Sequence, residues 1–232
     1  MTKLLAVTIM SVLMSGVISP SWAGPKEDAI KTALRDMYNW SVEKIEPSPI
    51  PSLWQVWVQN RLFYVDEGAK HLVAGPIVDT ATREDLSAKV EAKWRWETFP
   101  RQDAIKQVFG DGHRELVVFS DANCTYCAQM EKTFEQVSNV TVYTFVVPIL
   151  RGVVNNREVV CAKDPAKAWH DWMSAHRSLP EAPANCDASV LDRNLRLAAE
   201  LDLTGVPRMY FASGAIEHGA IPAPRLDSLL GQ

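Results

Sequence analysis

The sequence predicts an α/β protein: a small N-terminal α+β module, a connecting helix, and a larger module in which helices pack on a sheet around one helical insertion. Three observations predict it. An apolar run at 116–120 reads as a buried strand that turns into a helix opening on Cys124-Thr125-Tyr126-Cys127, with a β-branched strand at 140–147 after it. A helical stretch, a strand at 208–212 and a final short helix follow. Upstream, one amphipathic helix precedes three short strand-like runs between residues 53 and 74. The 232 residues suit one large domain or two modest ones. With 47% apolar and 22% charged residues the composition is that of a globular protein, which excludes a collagen-like, low-complexity or wholly disordered chain. A formal charge of -4 argues against a nucleic-acid partner, which needs a basic face.

Residues 1–23 read as a secretory signal peptide. Lys3 supplies the positive start, residues 4–18 an apolar run too short to span a bilayer, and Ser21-Trp22-Ala23 a cleavage site after Ala23. Export permits disulfides, and all four Cys lie beyond the cut. Residues 26–37 form a helix with Ile30, Leu34 and Met37 on one stripe. Pro47, Pro49 and Pro51 exclude a central strand there. Strands follow at 53–59, 62–65 and 71–74, the last two separated by the turn Asp66-Glu67-Gly68. This module, 24–80, is small enough for its core to be marginal, so partner contacts are expected. A helix over 82–96, capped by Thr82 with Asp85 in the place of the capping-box acid, carries only the narrow stripe Leu86, Val90, Trp94. It reads as a linker at 81–97 joining the first module to a catalytic module at 98–232, with the helical insertion at about 150–200. Within that insertion Asp164-Pro165 reads as a helix N-cap followed by Pro at the first helical position, and a second helix spans about 188–200.

The chemistry lies in the Cys. Two Cys spaced by three at a helix start can close a small disulfide ring. The first sulfur sits near unpaired backbone N–H groups and the positive end of the helix dipole, which stabilise a thiolate. Cys124 is therefore the attacking residue. Cys127, one turn inside on the stripe with Met130, Phe134 and Val137, is the resolving residue. Thr125 and Tyr126 bring no positive charge, and Tyr126, inside the motif, is expected to be exposed. Zinc needs a second close Cys pair, which Cys161 and Cys186 do not form. In an exported protein those two read most simply as a structural bridge around the Trp169/Trp172 helix, with a second redox pair as the rival reading. His71, His113, His170, His176 and His218 are scattered without ligand spacing, and no Gly-rich phosphate loop occurs, so no metal and no cofactor is expected. The matches Asn39-Trp40-Ser41, Asn123-Cys124-Thr125 and Asn139-Val140-Thr141 read as chance.

The chain resembles the DsbC/DsbG-type periplasmic protein disulfide isomerases of the thioredoxin superfamily. The likeness is carried by Phe119-Ser120-Asp121-Ala122-Asn123-Cys124-Thr125-Tyr126-Cys127, Val159-Val160-Cys161-Ala162-Lys163-Asp164, Ala182-Pro183-Ala184-Asn185-Cys186-Asp187 and Gly205-Val206-Pro207. Upstream it is carried by Leu62-Phe63-Tyr64-Val65-Asp66-Glu67-Gly68, Lys70-His71-Leu72 and Gly75-Pro76-Ile77-Val78-Asp79. The resemblance implies a homodimer: thioredoxin-fold catalytic domains on hinge helices, joined through a cystatin-like dimerisation domain with His71 and Gly75 at the interface. It implies a cis Pro207 facing Cys124, a structural Cys161–Cys186 bridge, a periplasmic location, mis-bridged exported proteins as substrates with chaperone activity beside the chemistry, and a DsbD-like membrane reductase as partner. Two departures stand out: Thr125 where these isomerases usually carry Gly, and Val206, as in oxidase-type relatives, where they usually carry Thr. Both positions flank the sulfurs, so a net dithiol oxidase and a holdase chaperone with secondary redox activity stand beside the isomerase reading. Gly75 reads either as a bulge or as part of an interface strand, since Gly weakens a strand unless something approaches closely.

Overall fold

A computed structural model describes residues 24–150, 152 and 154–231, so the signal-peptide reading lies outside the described residues. The chain divides into two compact units between Gly75 and Pro76.

The first unit is one helix on a four-stranded sheet. α1 (Pro25–Tyr38) begins with Pro at its first position and ends where Asn39 turns into the left-handed conformation. β1 (Lys44–Pro47), β2 (Leu53–Val58), β3 (Arg61–Asp66) and β4 (Leu72–Val73) form an antiparallel meander in that order. Ile30 and Leu34 of α1 are buried on Ile45, Val56, Val58, Phe63 and Val65 of the sheet. Met37, expected on the same stripe, is 56% exposed in the last turn, where the chain leaves the helix. β1 ends at Pro47 on the sheet edge, where a missing N–H does no harm. β4 pairs only with β3, and Gly75 lies two residues past its end, exposed and outside any strand. A side chain there would meet nothing within 4 Å, so nothing inside the chain demands Gly75.

In the second unit α2 (Leu86–Thr98) starts later than Thr82. Asp85 is itself the N-cap, its carboxylate accepting from the Ala88 N–H at 2.9 Å. Asp79 draws 79–82 into a turn by accepting from the Ala81 and Thr82 N–H groups, which leaves Thr82 outside the helix. The sheet comprises β5 (Ile105–Phe109), β6 (Arg114–Ser120), β7 (Val140–Val146), β8 (Arg208–Phe211) and β9 (Ile216–His218), in the order β5-β7-β6-β8-β9. β6 and β7 are parallel and the other pairs antiparallel. α3 (Thr125–Phe134) makes the crossover from β6 to β7. It buries Met130 and Phe134, with Val137 beyond it, on Leu116, Val118, Val140 and Val142, and α7 (Ala223–Leu230) joins that core through Leu226 and Leu229. Phe99, Phe119, Phe145 and Tyr210 form an aromatic cluster with ring centroids 5.1–6.2 Å apart.

The insertion comprises α4 (Val154–Val160), α5 (Pro165–Met173) and α6 (Ser189–Glu200). Asp164 caps α5, accepting from the Lys167 N–H at 3.0 Å. Cys161, just past α4, is disulfide-bonded to Cys186, just before α6, with Cα atoms 5.9 Å apart.

Candidate active site

β6 ends at Ser120 and the chain turns through 121–123 to deliver Cys124 as the N-cap of α3. An N-cap group meets N–H donors that have no partner within the helix. Here the cap is a sulfur: Cys124 Sγ accepts from the Cys127 N–H at 3.2 Å. Its own S–H donates to the Val206 carbonyl at 3.6 Å. The Val206–Pro207 peptide bond is cis. Thr125 and Tyr126 fill the first turn of α3, and the Tyr126 side chain is 65% exposed while both Cys are buried. Six sequence-selected positions thus meet here: Cys124, Thr125, Tyr126, Cys127, Val206 and Pro207.

The two sulfurs are held as thiols, the reduced form of the pair, and they differ electrically. The Cys127 thiol donating to it, together with the Cys127 and Tyr126 backbone N–H groups, pulls Cys124 from the ordinary 9.0 to about 7, against desolvation and the Asp121 charge. Burial is the main cause that pushes Cys127 far up. At neutral pH one sulfur is therefore substantially thiolate and its neighbour stays protonated.

The 121–123 turn is fastened by Asn155 and Asn156, which the sequence did not single out, and by Trp172 of the α5 helix. Asn156 of α4 accepts from the Ala122 N–H at 2.8 Å and donates to Asp121 Oδ1 at 3.0 Å. Asn155 donates to Asn123 Oδ1 at 2.6 Å, and the Trp172 indole of α5 donates to the Ala122 carbonyl at 2.6 Å. The available signal was Asn155-Asn156 in an apolar stretch, a polar pair that a surface loop explains equally well. Below the pair Glu131 of α3 is buried, accepting from the Trp169 indole at 3.0 Å and from the Gln107 amide. Cys161 and Cys186 lie within the insertion, and His71 and Gly75 belong to the first unit. In that unit the Asp66 carboxylate receives the Lys70 and His71 N–H groups and His71 Nδ1, which lowers its pKa. No helix among the described residues is long and apolar enough to cross a membrane.

Residues 21–88 match the disulfide bond isomerase protein N-terminal domain family and residues 101–232 the thioredoxin-like domain family. A probable thiol:disulfide interchange protein DsbC of Bordetella pertussis is 37% identical over 212 residues, 89% of this chain and 75% of that one. The thiol:disulfide interchange protein DsbC of Escherichia coli K12 is 24% identical over 81% of this chain and 80% of its own. The crystal structure of a disulfide interchange protein from Neisseria gonorrhoeae superposes with a TM-score of 0.52 at 31% identity, covering 57% of this chain and 96% of that one.

Proposed function

The chain belongs to the DsbC family of thiol:disulfide interchange proteins, and from that premise we propose that it rearranges and reduces wrong disulfides in exported proteins, with Cys124 as nucleophile and Cys127 as resolving residue. The carrying observation is the asymmetry of the pair: both sulfurs lie in one buried cluster, but Cys124 Sγ caps α3 and receives an N–H donor, whereas Cys127 is a turn inside the helix, where burial dominates.

The Cys124 thiolate attacks one sulfur of a substrate disulfide. A Cys124–substrate bond forms, the substrate S–S bond breaks, and the other substrate sulfur leaves as a thiolate. If a different substrate thiolate then attacks the mixed disulfide, a new substrate disulfide forms, Cys124 is regenerated and the net change is isomerisation. If Cys127, losing its proton, attacks Cys124 Sγ, the substrate leaves as a dithiol and the Cys124–Cys127 disulfide remains. The enzyme has then given up two electrons, and an external dithiol, supplied by a membrane reductase of the DsbD kind, must restore them. The Val206 carbonyl beside Cys124 Sγ gives an extended substrate segment a backbone acceptor next to the attacking sulfur.

We further read the protein as a periplasmic homodimer whose first units pair. β4 leaves one edge free and Gly75 stands beyond it in open space, so Gly75→Arg fits the isolated chain and disturbs only a partner. Light scattering is expected to find Gly75→Arg monomeric, with dithiol chemistry kept and isomerisation lost; an unchanged dimer contradicts the interface.

A net oxidase is the second reading, favoured by Val206 before Pro207. Refolding of a scrambled multi-disulfide protein in glutathione buffer separates the two. Recovery that requires reduced Cys124–Cys127 establishes the isomerase, and activity confined to the oxidised form, loading disulfides into reduced substrate, establishes the oxidase. A Cys124→Ser protein that still suppresses aggregation but repairs nothing locates chaperone activity apart from the chemistry.

A further inference from the structure

The turn before the nucleophile contains more buried polar structure than a turn requires. Asp121 is fully buried, three residues before Cys124, and among the described residues no Lys, Arg or His is paired with it. Its carboxylate is surrounded by N–H groups instead. Oδ1 accepts from the Asn123 N–H at 2.8 Å, from Asn123 Nδ2 at 3.1 Å and from Asn156 Nδ2 at 3.0 Å; Oδ2 accepts from the Leu150 N–H at 2.9 Å. A carboxylate removed from water persists as an anion only where such donors replace its hydration. Asn156, itself fully buried, has one amide end on this charge and the other on the Ala122 N–H.

Neutral groups would fasten a turn equally well. A carboxylate places negative charge beside a sulfur that must itself become negative, and the Asp121 charge works against the Cys124 thiolate. Stabilising the thiolate stabilises the reduced pair and makes its disulfide the stronger oxidant, so a nearby buried anion makes the dithiol the stronger reductant. The titratable groups acting on Cys124 are Cys127 of α3 and Asp121 itself. The side chains that share its buried cluster from α4, α5, α6 and the cis-Pro segment, Val159, Trp169, Met173, Leu191 and Val206, do not titrate.

We propose that Asp121 and Asn156 are positioning residues that set the reducing strength of the Cys124–Cys127 pair: the buried carboxylate holds the pair reducing, and the amide supplied by the helical insertion limits how strongly it does so. The proposal rests on Cys124 being the nucleophile, as read above, and extends it to the control of its potential.

The test uses two variants of the full-length mature protein. Thiolate absorbance at 240 nm gives the Cys124 midpoint, and equilibration with reduced and oxidised glutathione gives the dithiol/disulfide constant. Asp121→Asn removes the charge while an amide oxygen can keep the three Oδ1 donors. It is expected to lower the midpoint and shift the glutathione equilibrium roughly fivefold toward the dithiol at pH 7 for each unit of midpoint. Asn156→Ala keeps the charge and removes one of its donors. It is expected to raise the midpoint and shift the equilibrium toward the disulfide. A merely structural role predicts the same direction for both, since each would loosen the turn; shifts of one sign, or no shift in Asp121→Asn, overturn the proposal. If Asp121→Asn does not fold, Asp121→Ser replaces it, removing the charge while a hydroxyl oxygen can still accept from the turn: a lowered midpoint supports the proposal, and an unmoved or raised one overturns it. Failure of the unmodified pair to equilibrate with glutathione would overturn the functional reading instead, and the thiolate midpoints would still decide the role of Asp121.

Discussion

Cys124 and Cys127 stand three residues apart as free thiols at the start of α3, while Cys161 and Cys186, separated by 25 residues, are bonded on either side of α5. Both pairs belong to the second unit, and all four Cys follow the same predicted export signal. What separates them is local. Within one buried cluster, Cys124 holds the N-cap position, where the Cys127 thiol and backbone N–H groups favour a thiolate, and Cys127 lies a turn inside, where burial disfavours one. The bonded pair closes a loop that contains α5. The comparison teaches that the backbone setting of a sulfur decides between chemistry and stapling.

The sharpest way to break that comparison is to remove the bonded pair. Cys161→Ala with Cys186→Ala is expected to cost about 3.5 kcal/mol, the loop-entropy value for a loop of this length. Urea unfolding checks it, and the folded fraction should still be alkylated at Cys124. Loss of Cys124 reactivity in protein shown to be folded would mean that the two pairs are chemically linked.

A second expectation concerns pH. With its pKa at about 7, Cys124 should be alkylated by iodoacetamide about tenfold faster at pH 8 than at pH 6, with Cys127 silent throughout. The same shift has a stability sign. The folded pKa lies below the unfolded 9.0, so the reduced protein holds this contribution fully above pH 9 and loses it as pH falls through about 7. Cys127, shifted upward, acts in the opposite sense, and only above pH 9. A flat alkylation profile would remove the electrical difference between the two sulfurs.

The smallest effect concerns Glu131, which links α3 to the α5 helix inside the disulfide loop. Burial raises its pKa, so its contribution is present at acid pH and is lost as pH rises through the raised value. Glu131→Gln removes the charge, and rotation of the Gln107 amide lets its unpaired Oε1 accept from the new side chain. The variant is expected to gain about 1 kcal/mol at pH 8 and nothing near pH 4, read by denaturant unfolding. A loss at pH 8 would show that the ionised form is what joins the two helices.

The Cys-x-x-Cys helix and most strands were legible because their apolar spacing matches helix or strand periods, and the Asp164 cap because Asp is followed by Pro at the first helical position. Two elements that were not legible, β5 and α4, share a cause. β5 reads Ile-Lys-Gln-Val-Phe, and its inward Gln107 is occupied by Glu131, so the buried face is not apolar. α4 reads Val-Asn-Asn-Arg-Glu-Val-Val, and its buried Asn156 serves the turn before Cys124. Apolar periodicity cannot register a face whose buried residues are polar and whose partners are distant in sequence. β1 and β9 were too short, at four and three residues, to show a period. The same limit hid Asp121, which reads as an ordinary turn residue until four donors from 123, 150 and 156 are seen around it.

The division of labour between Cys124 and Cys127 is tested most directly by trapping. A Cys127→Ser protein, unable to resolve, is incubated with a scrambled disulfide substrate, and the adduct is mapped by peptide mass spectrometry, with Cys124→Ser as control. The account predicts a substrate sulfur bonded to Cys124 in Cys127→Ser and no adduct in Cys124→Ser. Adducts on Cys161 or Cys186, or trapping that survives the loss of Cys124, would contradict it.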